Sequence, residues 1–243
     1  MKKILIVGGV SGIGLSIAKV LAKEEDTEKV YIIDKKTLSE KYREPKIESE
    51  IFDLTSEDYS IFDRYSDIDC LFISAGFGRL ALFKDVDEQL INTYFQVNTI
   101  AAIRVIKRFY SRLQSQQNFY CGVMVSIAGF MSSPFFSVYG ATKGALKIFI
   151  ESVNVELEKA GTSNRILNVS PGSIKGTSFY QGTTDLTQIE NLTRQIIEHL
   201  KLKDDLFIPQ YDEVFKKVLE RYHKDFRKEG LHSYDYKLES RRI

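Results

Sequence analysis

Tyr31, Tyr42 and Tyr139 are each followed four positions later by a lysine: Lys35, Lys46 and Lys143. A phenol held beside an ammonium can give up and recover a proton, because the positive charge favours the phenolate. The chain is rich in both residue types, so the spacing arises by chance and context has to decide. Pro45 lies between Tyr42 and Lys46 and opposes a helix there. Tyr31 sits in the apolar, strand-like run VYIID, where residues four apart are far from one another. Only SVYGATKGAL, residues 137–146, reads as helix, and there Tyr139 and Lys143 would stack on one face, one turn apart.

For that pair to do chemistry, other elements must bring a substrate to it. Short apolar runs alternate with helix-length amphipathic stretches. Strands are predicted at 3–7, 29–33, 46–52, 69–74, 120–127 and 165–170. Helices are predicted at roughly 12–24, 55–65, 87–115 and 137–160. Later come helices near 186–202 and 212–229, with an apolar piece LFIP at 206–209 between them and a polar tail after them. This alternation predicts an α/β fold in three layers, a doubly wound parallel sheet with helices on both faces. No repeat or composition break divides the chain. Residues 1–243 are therefore expected to form one domain, with a loop at about 173–186 and a C-terminal helical extension at about 186–243.

In an open parallel sheet, ligands bind at the C-terminal ends of the strands. Three features fall there. VGGVSGIG (7–14) joins the first strand to a helix, and Gly8, Gly12 and Gly14 allow the tight turn and close backbone approach that a pyrophosphate needs. A plain glycine-rich turn is the bland alternative. Asp34 ends the second strand, 20 residues after Gly14, and an acid there accepts ribose hydroxyls and repels a 2′-phosphate. Lys35 and Lys36 offset part of that repulsion. Asp53, at the end of the third strand, either faces an adenine edge or caps the next helix. Ser126 ends the fifth strand, 13 residues before Tyr139, and neither decoy Tyr–Lys pair has such a serine.

A hydrophobic content of 43% suits a globular core, and a net charge of +1 gives no reason to expect nucleic acid or an anionic membrane as a partner. The opening MKKILIVGGV reads as a first strand rather than a signal peptide, since its apolar run stops at glycines. Cys70 and Cys121 read as buried free thiols of a cytoplasmic protein. His199, His223 and His232 lack ligand spacing, so no metal is expected.

In their order and spacing these features resemble the short-chain dehydrogenase/reductase family, in its single-domain Rossmann form, over residues 1 to about 177. The resemblance rests on VGGVSGIG, Asp53-Leu54, ISAG (73–76), VN (97–98), Ser126, YGATK (139–143) and NVSPGSIKGT (168–177). It implies an NAD(P)-dependent oxidoreductase that interconverts an alcohol and a carbonyl by hydride transfer, with NAD favoured over NADP. By resemblance, Tyr139 is the general acid and base, and Lys143 stabilises its phenolate and binds the nicotinamide ribose. Ser126 holds the substrate oxygen, and Asn98 holds a water that relays protons from Lys143. The cofactor contacts implied are Gly8, Ser11, Gly12, Ile13, Gly14, Asp34, Asp53, Leu54, Ala75, Gly76, Tyr139, Lys143, Pro171, Gly172, Ile174 and Thr177. A homodimer through the helices near 87–115 and 137–160 is expected too. The chain departs from the family pattern at Val7, usually Thr, and at Ile73-Ser74, usually two asparagines. The threonine after Pro-Gly also comes one residue late, and the usual glycine-rich last strand is replaced by FIPQYDEV.

The mouth of the site is expected from residues 76–83, 129–136 and 173–186. Phe130, Met131, Phe135, Phe136, Phe179 and Tyr180 would make it apolar, suited to a hydrophobic or ring-containing substrate, unless those rings serve as core or dimer contacts. Two other functions are open. One is a non-catalytic NAD(P)(H)-binding regulatory protein. The other is a sugar-nucleotide epimerase or dehydratase, which usually needs a larger C-terminal domain than this chain supplies.

Overall fold

A computed structural model describes residues 1–177, 179 and 184–239. Its strands are β1 (Lys3–Val7), β2 (Lys29–Asp34), β3 (Ile47–Ile51), β4 (Cys70–Ile73), β5 (Tyr120–Met124), β6 (Ile166–Val169) and β7 (Leu206–Phe207). From Ile4 to Val7, β1 is almost wholly buried. Leu5 and Val7 enter one core while Ile4 and Ile6 enter another, as alternate side chains of a strand must. A strand apolar on both faces belongs inside a parallel sheet. Among the described residues the sheet is seven-stranded and parallel, in the order β3-β2-β1-β4-β5-β6-β7. The edge strand β3, IESEI, exposes Glu48 and Ile51, and its charges discourage further pairing.

The helices are α1 (Gly12–Ala22), α2 (Glu88–Phe95), α3 (Ala101–Arg108), α4 (Tyr110–Gln114), α5 (Ser137–Lys159), α6 (Leu186–Leu202), α7 (Lys216–Lys224) and α8 (Phe226–Glu239). Leu15 and Leu21 of α1 with Ile196 and Leu200 of α6 bury the Ile4 face. Val105 and Ile106 of α3 with Leu146 and Ile150 of α5 bury the Leu5 face. The result is the expected three-layer doubly wound sheet, with the order of winding reversing between β1 and β4. Cys70 and Cys121 are buried thiols, and no helix among the described residues is long and apolar enough to cross a membrane.

The structure departs from the sequence-based expectation in four places. The helix expected over 87–115 is broken: a π-turn, Gln96–Ile100, separates α2 from α3, and Phe109 (φ −100°, ψ 10°) separates α3 from α4. The helix expected at 55–65 is only a 3₁₀ turn, Ser60–Tyr65. There Asp58 binds the backbone N–H and the hydroxyl of Ser60, local bonds that compete with a helix. β5 stops at Met124, so Ser126 follows the strand and caps the short turn Ile127–Gly129. Finally, the extension expected to be helical contributes β7 to the sheet, and its last helix is divided at Asp225, whose carboxylate caps α8 through Arg227 and Lys228 N–H. The polar tail expected after residue 229 forms most of α8.

Candidate active site

The chain leaves β1 at Val7 and turns at Gly8, whose φ is +86°; a Cβ there would lie 2.4 Å from Ala75 N. A Cβ on Gly14 would lie 2.2 Å from Gly8 O. Both positions therefore exclude any side chain, and the turn packs backbone on backbone, opening the amide end of α1 to an anion. Gly12 opens α1 with φ +55°, and Ser11 before it is extended, with no capping bond from its hydroxyl. Ile13 is buried behind the turn. At the rim, Asp34 accepts from Val10 N–H at 3.3 Å and from Lys36 N–H at 3.1 Å. The sequence therefore brings this acid to the glycine turn, as its spacing implied. Ala75 N–H donates to Val7 O at 2.9 Å, which fixes the end of β4 beside the end of β1.

Farther along the same edge, Tyr139, Ser126, Lys143 and Asn98 meet. Tyr139 lies on α5 with 8% of its surface exposed, and the Ser126 hydroxyl is near enough to its own to favour the phenolate. Ser126 Oγ also accepts from Ala128 N–H at 3.1 Å, which holds the serine side chain in place. Lys143 is 3% exposed; its Nζ donates to Met124 O at 2.8 Å and lies 5.8 Å from the Tyr139 ring centre. Asn98 sits in the π-turn with its amide engaged on several sides. Its Oδ1 accepts from Phe77 N–H at 2.9 Å, and its Nδ2 donates to Phe77 O at 2.9 Å and to Thr142 Oγ1 at 3.2 Å. A Cβ on Gly76 would lie 3.3 Å from Asn98 Oδ1 and 3.4 Å from Lys143 Nζ. That glycine keeps a path open between the glycine turn and the Tyr–Lys pair.

Burial governs the electrostatics here. It pushes the Tyr139 phenol up to about 12, the Ser126 hydrogen bond opposing and Tyr94 adding to the rise. It pushes the Lys143 ammonium down to about 8. Both shifts favour the uncharged form, as desolvation must. The phenol accordingly carries its proton at neutral pH, and a charge introduced nearby would alter this pair strongly.

The short chain dehydrogenase family matches residues 2–188. This chain belongs to that family. Among similar proteins, the oxidoreductase YvaG of Bacillus subtilis is 28% identical over 215 residues, covering 84% of this chain and 80% of its own. A short-chain dehydrogenase from Sphingobium yanoikuyae in complex with NADPH superposes with a TM-score of 0.74 at 20% identity, covering 93% of this chain and 96% of that one. A bulky-bulky ketone specific alcohol dehydrogenase from Comamonas testosteroni does so with a TM-score of 0.73 at 22% identity, covering 96% and 94%.

Other motif residues of the chain take structural positions around the same edge. Pro171 O accepts from Ile127 N–H at 3.0 Å, tying the turn after β6 to the turn after β5. Ile174 packs against the core on the α1 side, and Thr177 Oγ1 donates to Ile174 O at 2.8 Å. The side chain of Thr177 approaches Gly12, where an added Cβ would meet it at 3.9 Å. The late threonine is thus brought to the glycine turn. Asp53 lies two residues beyond β3, not at its end, and its Oδ1 accepts from the N–H and hydroxyl of Thr55, both at 2.9 Å. Those bonds hold its carboxyl below the usual range. Leu54 packs against the core on the α5 side.

Two polar residues of the site were not singled out in the sequence. Thr142, fully buried, accepts from Asn98 and donates to Tyr139 O at 2.7 Å, and so couples the π-turn to α5. Its place inside YGATK was the signal available. Thr184 accepts from Gly12 N–H at 3.0 Å across 172 positions of sequence, and nothing local announced it. Of the mouth aromatics, Phe136 and Phe179 pack on Tyr139, each with its ring centre 5.3 Å from the phenol ring. Phe130 instead lies under Lys147, 4.9 Å from its Nζ. Tyr180 falls outside the described residues.

Proposed function

We propose that this chain is a nicotinamide-dependent oxidoreductase interconverting an apolar alcohol and its carbonyl, with Tyr139 as proton donor and acceptor. The observation that carries the reading is that Tyr139, Ser126 and the buried Lys143 meet at the strand ends, where ligands of such sheets bind. The backbone-only turn at Gly8 and Gly14 and the gap at Gly76 suit a dinucleotide running from Asp34 towards Lys143. Its nicotinamide, when bound, supplies or accepts the hydride.

The chain's own residues manage the proton. Ser126 Oγ holds the substrate oxygen within reach of the phenol. In reduction, Tyr139 gives its proton to that oxygen, and burial near 12 ensures that the proton is present at neutral pH. Lys143, one turn below, supplies the cation that receives the resulting phenolate. In oxidation the phenolate takes the proton from the alcohol, so that direction needs higher pH. Asn98 and Thr142 hold the Phe77 segment and α5 in register. Phe136 and Phe179 beside the phenol support an apolar substrate.

The carboxylate of Asp34 at the rim supports NAD over NADP, although Lys35 and Lys36 adjoin it and the Sphingobium neighbour carries NADPH. The test is to titrate the protein with NADH and NADPH separately, then screen apolar aldehydes and ketones for loss of reduced-nicotinamide absorbance. The expected result is tighter NADH binding and turnover of ring-containing carbonyls. Binding without turnover of any carbonyl or alcohol would make the chain a cofactor sensor instead. Turnover confined to small charged hydroxy acids would remove the substrate class.

A further inference from the structure

Beyond β7 the chain comes back to the crevice twice. In a π-turn, Tyr211–Phe215, the Phe215 ring lies against Gly172, where a Cβ would come within 2.7 Å of Phe215 Cζ. That contact covers the turn after β6. Then α8 covers the loop after β5. Lys237 Nζ donates to Ser133 Oγ at 2.8 Å and to Pro134 O at 2.7 Å, and the Tyr234 ring lies 4.6 Å from Phe135. Phe135 has φ +67°, a left-handed conformation that a bulky residue keeps only when its surroundings hold it. The same loop is tied from the opposite side, where Ala81 N–H donates to Phe135 O at 3.0 Å.

The next residue is the one that touches chemistry. Phe136 lies between the Lys237 ammonium, 5.5 Å from its ring centre, and the Tyr139 ring, 5.3 Å away. The hairpin that carries Lys237 is itself closed by a two-pronged ion pair. Arg221 donates to both carboxylate oxygens of Glu229, at 2.7 and 2.8 Å, and Glu229 is 9% exposed. One end of a continuous chain of contacts is thus the α7–α8 hairpin, and the other is the phenol.

Building on the oxidoreductase reading above, we infer that the α7–α8 hairpin is the outer wall of the substrate pocket. Lys237 is a positioning residue: it fixes Ser133–Pro134, and with them the Phe136 ring against Tyr139, and so sets the size of apolar substrate admitted. Without its hydrogen bonds to Ser133 and Pro134 the strained Phe135 turn relaxes, Phe136 swings from the phenol, and the pocket widens. Larger carbonyls then gain relative to small ones, while the glycine turn, far from this loop, is untouched.

The experiment compares wild type, Lys237→Met, which keeps the aliphatic stem without the donors, and Lys237→Arg, which restores a cation and donors. Two readouts are taken: hydrogen exchange of the amides in 130–136, and KM and kcat for a series of aryl ketones of increasing size. Lys237→Met should speed exchange in 130–136. It should also raise KM for the smallest good substrate roughly tenfold, with a much smaller change in kcat, and shift preference towards larger ketones. Lys237→Arg should recover most of both, and cofactor affinity should be unchanged throughout. Unaltered exchange, or a loss of activity equal for all ketone sizes and tracking melting temperature, overturns the inference. A wild type that binds cofactor but turns over nothing sinks the oxidoreductase reading instead. The two failures are told apart because the exchange comparison needs no substrate.

Discussion

The two sides of the crevice are built differently. On the side of the glycine turn the surface is backbone: Gly8 against Ala75 and Gly14 against Gly8. On the side of α5 it is rings: Phe77 stacked on Tyr94 at 4.5 Å, Phe136 and Phe179 on Tyr139, and Phe135 under Tyr234. Backbone contacts at these distances have no slack, because a single methyl collides with atoms that cannot move. Ring contacts have rotamers and neighbours that can adjust. One side is thus fixed by what the chain must omit, and the other is tuned by what it happens to carry. Tyr139, the proposed proton-transfer group, stands at the seam, with Ser126 beside its hydroxyl and its ring among the aromatics.

The largest effect should come from that seam. Tyr139→Phe keeps the ring and its packing on Phe136 and Phe179 but removes the hydroxyl proposed to give the proton. Turnover of the best carbonyl should fall by about 10³-fold or more, measured by steady-state rates. NADH affinity should stay within about twofold, since the phenol proton is not what binds the dinucleotide. A variant that kept a tenth of its activity would assign the proton to another group.

Next in size is a methyl on the backbone-built side. Gly8→Ala places a Cβ 2.4 Å from Ala75 N at φ +86°, whereas Gly161→Ala, at φ +76°, meets nothing within 4 Å. Both carry the cost of a left-handed backbone, but only the first also collides. Gly8→Ala should lose about 3–5 kcal/mol of stability and Gly161→Ala about 1 kcal/mol, read from denaturant melts. Cofactor binding should suffer only in the first. Equal losses would mean that conformation alone, and not the close approach, makes Gly8 necessary.

The same contrast explains what could be read from the amino acids. β1 at 3–7 and α5, which begins at Ser137 as expected, follow from apolar runs and a glycine-flanked helix, and the structure has them at those places. The glycine turn, Asp34, Ser126, Tyr139 and Lys143 were legible because each is tied to a strand end or to a helical repeat, both local patterns. The break in the helix over 87–115 was not. No proline or glycine interrupts it, and the extra residue of the π-turn is accommodated where Asn98 binds Phe77 and Thr99 binds Thr142 O, contacts 21 and 43 residues apart in sequence. π-turns of this sort gather at functional sites because they re-aim one side chain without ending the helix. The C-terminal hairpin was opaque for the same reason. Its charged pattern says helix, but only Tyr234 on Phe135 and Lys237 on Pro134 say where that helix goes.

The smallest effect sharpens the comparison by asking what the buried cation costs the fold. Lys143 is pushed from an ordinary value of 10.5 to about 8, so between those values the unfolded chain holds a proton that the folded chain has released. Stability must therefore rise with pH across that window, and the penalty stands in full below about 8. Tyr139 acts oppositely and later: raised from 10.0 to about 12, it keeps its proton when folded, so stability falls with pH between those values. Lys143→Met removes the first contribution and leaves the second. At neutral pH the variant should be more stable than wild type by about 1–3 kcal/mol, the lower figure applying because the Met124 carbonyl loses its partner. The gap should narrow as pH rises from about 8 towards 10.5, above which the wild-type lysine is neutral in both states, while turnover stays lost at every pH. Urea melts of the two proteins at a series of pH values from 7 to 10 measure this directly. A gap independent of pH would mean that the ammonium is not penalised by burial, and that the site holds its cation at no cost to the fold.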